Sequence, residues 1–172
     1  MTDRPVETTP PAKSLIQGYL PNASFQDAWA MESPPTERSA LELFIAAARK
    51  TPKWVEACMK ARNRAVGFFG LKNLGSLAEL SSTKPASAYQ PGERVGIFTL
   101  LKNTHDEVLL GDDDKHLNVV LSVHRKALAD KPAVLITVTT VVHVKNTLGR
   151  IYMLPVKPMH RIIAPAVLAK MA

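Results

Sequence analysis

The feature that most constrains the fold is a change of hydrophobic period at Gly92. Before it, apolar residues recur at helical spacing, as in Leu41, Phe44, Ile45 and Ala48. After it, four segments rich in Val, Ile, Leu and Thr carry the pattern of strands, at 94–101, 107–110, 116–125 and 133–144. The last two alternate apolar and polar residues, which is typical of antiparallel strands with one buried face. Helices followed by a run of strands predict an α+β fold.

Two helices are predicted before these strands. The first runs from Glu37 to Lys50. The second runs from Pro52 to Phe69, because Thr51 is a good N-cap and proline is favoured at the first helical position. Gly70 is placed to end that helix as a C-cap.

The pattern also predicts a short first strand from Ser24 to Met31 and turns at Gly111–Asp114 and Lys131-Pro132. The chain is helical from Thr147 onward, and three prolines break or kink this region: Pro155, Pro158 and Pro165. The predicted architecture is therefore an antiparallel sheet curved around helices, with a C-terminal helix kinked by prolines.

The 172 residues suit a single domain. Residues 1–18 are predicted to be a flexible N-terminal arm, because their first part holds several prolines and no periodic apolar pattern. Residues 19–172 form the α+β domain. Cys58 is the one cysteine, which excludes an internal disulfide and favours a reducing compartment. No apolar signal region and no membrane-length apolar run is visible, so we expect a cytoplasmic protein without membrane association.

The net charge of +7 is concentrated in two segments. Residues 49–72 carry seven basic residues and one acidic residue, and residues 145–172 carry five basic residues and no acidic one. Such faces could engage an acidic partner, or they could simply be solvated. Nucleic-acid binding is not expected, because aromatic residues make up only 6% of the chain and no recognition helix is evident.

Several enzyme classes are disfavoured by missing motifs. The chain has no GxGxxG, Walker loop, HExxH, CxxC or GxSxG sequence, and no cofactor is expected. Asp112, Asp114 and His116 share strand parity, but an acidic step between strands is usually a solvated turn, so no metal site is predicted.

Arg62 is the unusual residue of the second predicted helix. At 100° per residue it falls within the apolar stripe, whose other members are Val55, Met59, Val66 and Phe69. A buried guanidinium needs a partner because it stays charged. Asp112, Asp113 and Asp114 are candidate partners, and Asn63 could extend the network. The alternatives are an Arg–Asp bridge between helix and sheet, an anion-binding arginine in a cavity, and an arginine that reaches solvent.

Several other polar residues also fit ordinary structural roles. His116, His124 and His143 fall on the more polar strand faces and are expected to look outward. Cys58 flanks the apolar stripe and is read as a small core residue. Tyr152 and His160 lie in the C-terminal helical segment, where they are either cavity-lining groups or packing residues. The candidate ligand-binding residues are Arg62, Asn63, Asp113, Asp114, His116, Tyr152 and His160.

Five segments resemble bacterial domain-of-unknown-function family 2867. They are TPKWVEACMKARN at 51–63, VGIF at 95–98, LGDDDKHL at 110–117, VHVKNTLGRIYM at 142–153 and HR at 160–161. The resemblance covers roughly residues 19 to 168 and implies no particular activity. Its element order is similar to the helix-grip fold of the START/polyketide-cyclase-like (SRPBCC) superfamily. There, a bent antiparallel sheet and a long C-terminal helix enclose a cavity.

Three functional hypotheses follow. In the first, a cavity between helices and sheet binds a small apolar or amphipathic molecule, which in one variant is anionic. Arg62 and Asn63 are its polar anchors. In the second, the protein is an enzyme of cyclase, hydrolase or isomerase type, and the same cavity is its active site. It would require His116, His143 or His160 to point inward beside Arg62 or an aspartate. In the third, the basic faces bind an acidic partner. A homodimer is left open.

Overall fold

The computed structural model describes residues 4–67 and 84–172. Within these ranges there are seven strands, namely β1 (Val6–Glu7), β2 (Phe25–Ser33), β3 (Arg94–Val95), β4 (Phe98–Asn103), β5 (Glu107–Asp113), β6 (Leu117–Ala127) and β7 (Val134–Val144). The same ranges contain three α-helices, α1 (Ala40–Arg49), α2 (Lys53–Gly67) and α3 (Thr147–Leu168). Short 3₁₀ helices lie at Leu15–Tyr19 and Ala86–Ala88.

The strands of the described ranges form one open antiparallel sheet in the order β1-β2-β7-β6-β5-β4-β3. Its centre is the long pair β6–β7, which runs in register from Leu117 opposite Val144 to Ala127 opposite Val134. Strand β2 enters beside β7, and α1 and α2 lie in the chain between β2 and the remaining strands. The predicted α+β fold is confirmed.

One predicted strand is in fact a hairpin. The segment 94–101 divides into β3 and β4, because Val95 pairs with Phe98 across a two-residue turn. Gly96 has a φ of 59° there, in the region that favours glycine. A positive φ at the first central residue is typical of tight hairpin turns, so the glycine reverses the chain inside an otherwise continuous apolar run.

The predicted turn at Gly111–Asp114 is shifted toward the C-terminus. Strand β5 continues through Asp113, with Gly111 paired to Val120. The actual turn begins at Asp114, whose Oδ1 accepts hydrogen bonds from the backbone N–H groups of His116 (2.6 Å) and Leu117 (2.8 Å). An aspartate that closes a turn through its own side chain is common, but sequence alone did not show which of the three aspartates does so.

The junction between α1 and α2 differs slightly from the prediction. Helix α1 begins at Ala40, after a capping box in which Ser39 and Glu42 exchange side-chain and backbone hydrogen bonds. The hydroxyl of Thr51 donates to the carbonyl of Ala48 (2.7 Å), so it closes α1, and α2 begins at Lys53. The predicted end of α2 at Phe69 and Gly70 lies outside the described residues.

The prolines of α3 do not divide it into separate pieces, so that alternative is wrong. Each proline removes the hydrogen bond to the carbonyl four residues earlier. Those carbonyls belong to three exposed residues, Ile151, Leu154 and Arg161. Water can therefore donate the hydrogen bonds that the prolines do not. The opposite side of α3 is held on the sheet by the buried residues Gly149, Met153, Ala164 and Leu168.

Residues 4–18 of the predicted arm lie against the sheet. Strand β1 pairs with β2. Ile16 is fully buried among Leu109, Val120 and Val141, on the sheet face opposite the helices. The buried Glu107 accepts hydrogen bonds from the Ser14 hydroxyl and, through its other oxygen, from the backbone N–H of Leu15.

A charged cluster joins the loop before α1 to the β4–β5 hairpin. The buried Arg125 donates to the carbonyl of Thr36 (2.6 Å) and to Asp106 Oδ1 (3.1 Å). His105 lies 3.0 Å from the same Asp106 oxygen, and its other ring nitrogen contacts the carbonyl of Glu37 at 3.1 Å. The hydrogen bond between the two side chains raises the pKa of His105 above 6.5 and lowers the pKa of Asp106 below 3.8.

The His105–Asp106 pair should make part of the free energy of unfolding depend on pH. The raised pKa of His105 stabilises the fold below the unfolded value of 6.5, and that share is lost as pH rises through the folded value. The lowered pKa of Asp106 stabilises the fold above 3.8, and that share is lost on acidification. The free energy of unfolding should therefore change less between about pH 5.5 and about pH 8.5 in His105→Gln than in the wild type. Urea unfolding at the two pH values measures this difference. An unchanged gap would contradict the pairing.

Candidate functional site

A cavity of about 620 Å³ lies between the helix-covered face of the sheet, α2 and α3. This volume is within the range of small-molecule sites. The strand residues on its wall include Leu117, Val119 and Leu121 of β6 and Val138, Thr140 and Val142 of β7. These are the alternate positions that the two-residue period assigned to one face. Helix residues on the wall include Cys58, Met59, Tyr152, Val156, Met159, His160 and Ile163.

The rotation of α2 agrees with the helical projection where its side chains are described. Val55 is fully buried and Met59 lies on the cavity wall. Lys53, Lys60 and Arg64, which the same projection places on the opposite side of the helix, are exposed. Cys58, read from the sequence as a small core residue, is half-buried on the cavity wall.

The polar side chains on the described wall form two groups. Asp112 and Asp114 lie at the end of β5 and in the turn after it. Thr140, Tyr152 and His160 lie where α3 crosses β7. The side-chain contacts of the second group centre on His160.

His160 is held between a carboxylate and a hydroxyl. Its Nδ1 is 2.8 Å from Asp27 Oδ2, and its Nε2 is 3.3 Å from the Thr140 hydroxyl oxygen. The ring of Phe25 meets the imidazole edge-on, with centroids 5.8 Å apart. Trp29 also donates its indole N–H to Asp27 Oδ2 at 3.3 Å. Residues from β2, β7 and α3 thus fix the orientation of one imidazole at the cavity wall.

The hydrogen-bond partners determine which nitrogen of the neutral ring carries the proton. An ionised carboxylate only accepts, so the Nδ1–H of His160 donates to Asp27. Nε2 then presents a lone pair, which accepts from the Thr140 hydroxyl. Asp27 is almost completely buried, with 3% of its side chain exposed, and its Oδ1 has no hydrogen-bond partner within the described residues.

The residues predicted from the sequence are not all at the cavity. Asp114, Tyr152 and His160 line it. Asn63 is half-buried, and it is absent from the described wall together with Asp113 and His116. Asp113 accepts a hydrogen bond from Lys145, and His116 contacts the side chain of Asn146. The side chain of Arg62 lies outside the described residues.

Two of the polar residues that hold His160 were missed by sequence reasoning, Asp27 and Thr140. A signal for Asp27 did exist. In β2 it shares the parity of Phe25 and Trp29, so a carboxylate falls on the apolar side of a strand. Thr140 gave no signal, because threonine is ordinary in a strand.

The described residues meet neither of two requirements, those of a metal site and those of a membrane-spanning helix. Residues 4–67 and 84–172 contain no cluster of three or more His, Cys, Asp or Glu side chains with metal-binding geometry. Among the same residues, no helix combines the length and hydrophobicity that crossing a bilayer requires.

An open antiparallel sheet with helices over one face and a cavity beneath them defines an α+β protein with a pocket between its sheet and its helices. Residues 19–167 match the family described as "Protein of unknown function (DUF2867)", and the chain belongs to this family. No curated protein and no solved structure matches the chain.

Proposed function

We propose that this protein binds a small apolar or amphipathic molecule in the cavity between α2, α3 and the sheet. The observation that carries the proposal is a space of about 620 Å³ whose described wall is mainly apolar. An apolar wall of this extent that is left in contact with water is unfavourable, and an apolar ligand would cover it.

The distribution of polar groups supports an amphipathic ligand. The Thr140–His160 pair offers hydrogen bonding at one place on the wall, and most of the remaining described wall is hydrocarbon. A ligand with one polar group and an apolar body would satisfy both parts. Arg62 remains a proposed anchor for an anionic variant of such a ligand, on the helical spacing alone, whereas Asn63 is absent from the described wall.

We also propose kinship with the helix-grip superfamily. It is supported by the order of elements, with β2, two helices, five antiparallel strands and a C-terminal helix over a cavity in the described ranges. A cytoplasmic location is proposed on the single cysteine, which favours a reducing compartment.

Narrowing the cavity should weaken ligand binding. Val119→Trp places a large ring on the cavity side of β6, so we expect it to weaken binding of 1-aminoanthracene and cis-parinaric acid by about tenfold or more, which is about 1.4 kcal/mol. These fluorescent probes represent a neutral aromatic and an anionic chain. Affinities are measured by fluorescence titration of the purified protein.

The matched control is Asn118→Trp, because the neighbouring position lies on the opposite face of the same strand. It should bind both probes as the wild type does. Equal losses in the two variants, or no binding by the wild type, would contradict the proposal. Native mass spectrometry of the purified wild type then reports any co-purifying ligand and the subunit count.

A further inference from the structure

We propose that His160 is a general base that removes a proton from a carbon acid bound in the cavity, with Asp27 as its positioning residue. This inference rests on the proposed binding function and assigns a reaction class to the same cavity. The substrate class is an apolar or aromatic molecule with an acidic C–H group.

The first support is the direction of the imidazole. Nδ1 is committed to Asp27 at 2.8 Å, so Nε2 is the nitrogen that is left to act as the base, and its neighbour Thr140 also lies on the cavity wall. The contact from Nε2 to the Thr140 hydroxyl is 3.3 Å, a long hydrogen bond that an incoming group can replace. A base must reach the proton that it abstracts, and of the described histidines only His160 lines the cavity.

The second support is the energetic cost of the arrangement. Asp27 is buried beneath α3 with one carboxylate oxygen unpartnered among the described residues. A carboxylate in that position destabilises the fold, whereas an apolar side chain would pack there without this penalty. Costly polar groups beside a ligand-sized cavity are typical of sites where chemistry requires them.

The geometry favours proton abstraction over attack by the Thr140 hydroxyl. Thr140 lies in β7, which is paired on both sides, opposite Asp27 in β2 and Leu121 in β6. Ladder pairing on both sides engages the backbone N–H groups around it, so they do not form an oxyanion hole. A general base requires only the lone pair, a fixed ring and a bound substrate.

The step balances without a co-reactant. Nε2 takes the proton from the carbon, and the electron pair of the C–H bond moves into the substrate, onto a carbonyl oxygen or an adjacent leaving group. Where the acceptor is a carbonyl, the imidazolium returns the proton to another carbon and an isomer leaves. Where a leaving group departs, the imidazolium gives its proton to water or to the departed group. In both cases His160 is then neutral again.

The probe for this activity is 5-nitrobenzisoxazole, an apolar aromatic molecule with one acidic C–H bond. A base removes that proton, the N–O bond breaks, and the coloured 2-cyano-4-nitrophenolate forms. We expect saturable turnover by the wild type, and a loss of kcat of about 10²-fold or more in His160→Gln. The control is His143→Gln, because His143 lies on the opposite sheet face against the carbonyl of Pro21, and its rate should be unchanged.

Asp27→Asn tests the positioning role. The amide can also donate, so it no longer fixes the ring tautomer, and kcat should fall by about tenfold or more with KM unchanged. A change in KM alone, or an unchanged kcat, would overturn the role of Asp27.

Wild-type protein provides a test that does not depend on how a variant folds. Long-range ¹⁵N NMR should show His160 protonated at Nδ1, with the Nε2 resonance shifting when 6-nitrobenzotriazole, an unreactive analogue, is added. An Nε2 resonance that does not move would overturn the inference. Binding of the aminoanthracene probe without elimination that depends on His160 would also overturn the inference. That result would leave the proposed binding function intact. Absence of both activities would overturn both proposals.

Discussion

Glu107→Ala is expected to lower the free energy of unfolding by about 3 kcal/mol. The carboxylate is buried and accepts three hydrogen bonds, from the hydroxyls of Ser14 (2.5 Å) and Ser122 (2.6 Å) and from the backbone N–H of Leu15 (2.7 Å). Alanine would leave the buried hydroxyls of Ser14 and Ser122 without this acceptor and would detach the 3₁₀ helix at Leu15–Tyr19 from the sheet. Urea unfolding followed by circular dichroism measures the change.

The matched control is Glu93→Ala. Glu93 also accepts from a backbone N–H, that of Gln90, and pairs with Lys84, but 42% of its side chain is exposed. Water replaces its partners when it is removed, so a much smaller loss is expected. Similar losses in both variants would show that burial of Glu107 contributes little. A second reading comes from hydrogen exchange, which should increase around Ile16 in Glu107→Ala because the N-terminal segment loses its anchor.

Gly149→Ala should destabilise the protein by about 2 kcal/mol, although alanine is the better helix former by about 1 kcal/mol. A Cβ at this position of α3 would lie 2.5 Å from the carbonyl oxygen of His116 and 3.1 Å from the side chain of Val144. That carbonyl cannot easily move, because it accepts the backbone N–H of Lys145 at 2.8 Å. Helix α3 would have to shift off the sheet.

Gly18→Ala is the control for the general effect of replacing glycine. A Cβ at Gly18 meets no atom within 4 Å, and its backbone needs no positive φ. This variant should be neutral or slightly more stable, by about 0.5 kcal/mol, since alanine restricts the unfolded chain. The two glycines should therefore give opposite signs in the same thermal unfolding assay. A stabilised Gly149→Ala would mean that α3 is not pressed against the β5–β6 turn.

The sequence predicted the α+β class because its evidence is local. Alternation in 116–125 and 133–144 marked the two central strands and separated the cavity face from the opposite face. The spacing in α2 placed Val55 inward and Lys60 outward. The local errors occurred where one residue changes the backbone path, as at Gly96 in the β3–β4 hairpin and at the Asp114 turn.

The site depended on contacts between distant parts of the chain. His160 was a candidate from its place in the C-terminal helix, but its partner Asp27 is 133 residues away. Glu107 reads as an ordinary strand residue, yet it anchors Ser14 across 93 residues. Neither pairing follows from composition or periodicity, because hydrophobic patterning fixes which face a residue occupies and not what lies above it.

The amino-acid order by itself therefore determined the elements, their buried faces and the family, since each follows from neighbouring residues or recurring motifs. Only the tertiary structure decided that α3 crosses the sheet where Asp27 and Thr140 meet, and that a cavity is left beneath it. The physical reason is that packing depends on the shapes and crossing positions of whole elements, which no single stretch of chain encodes.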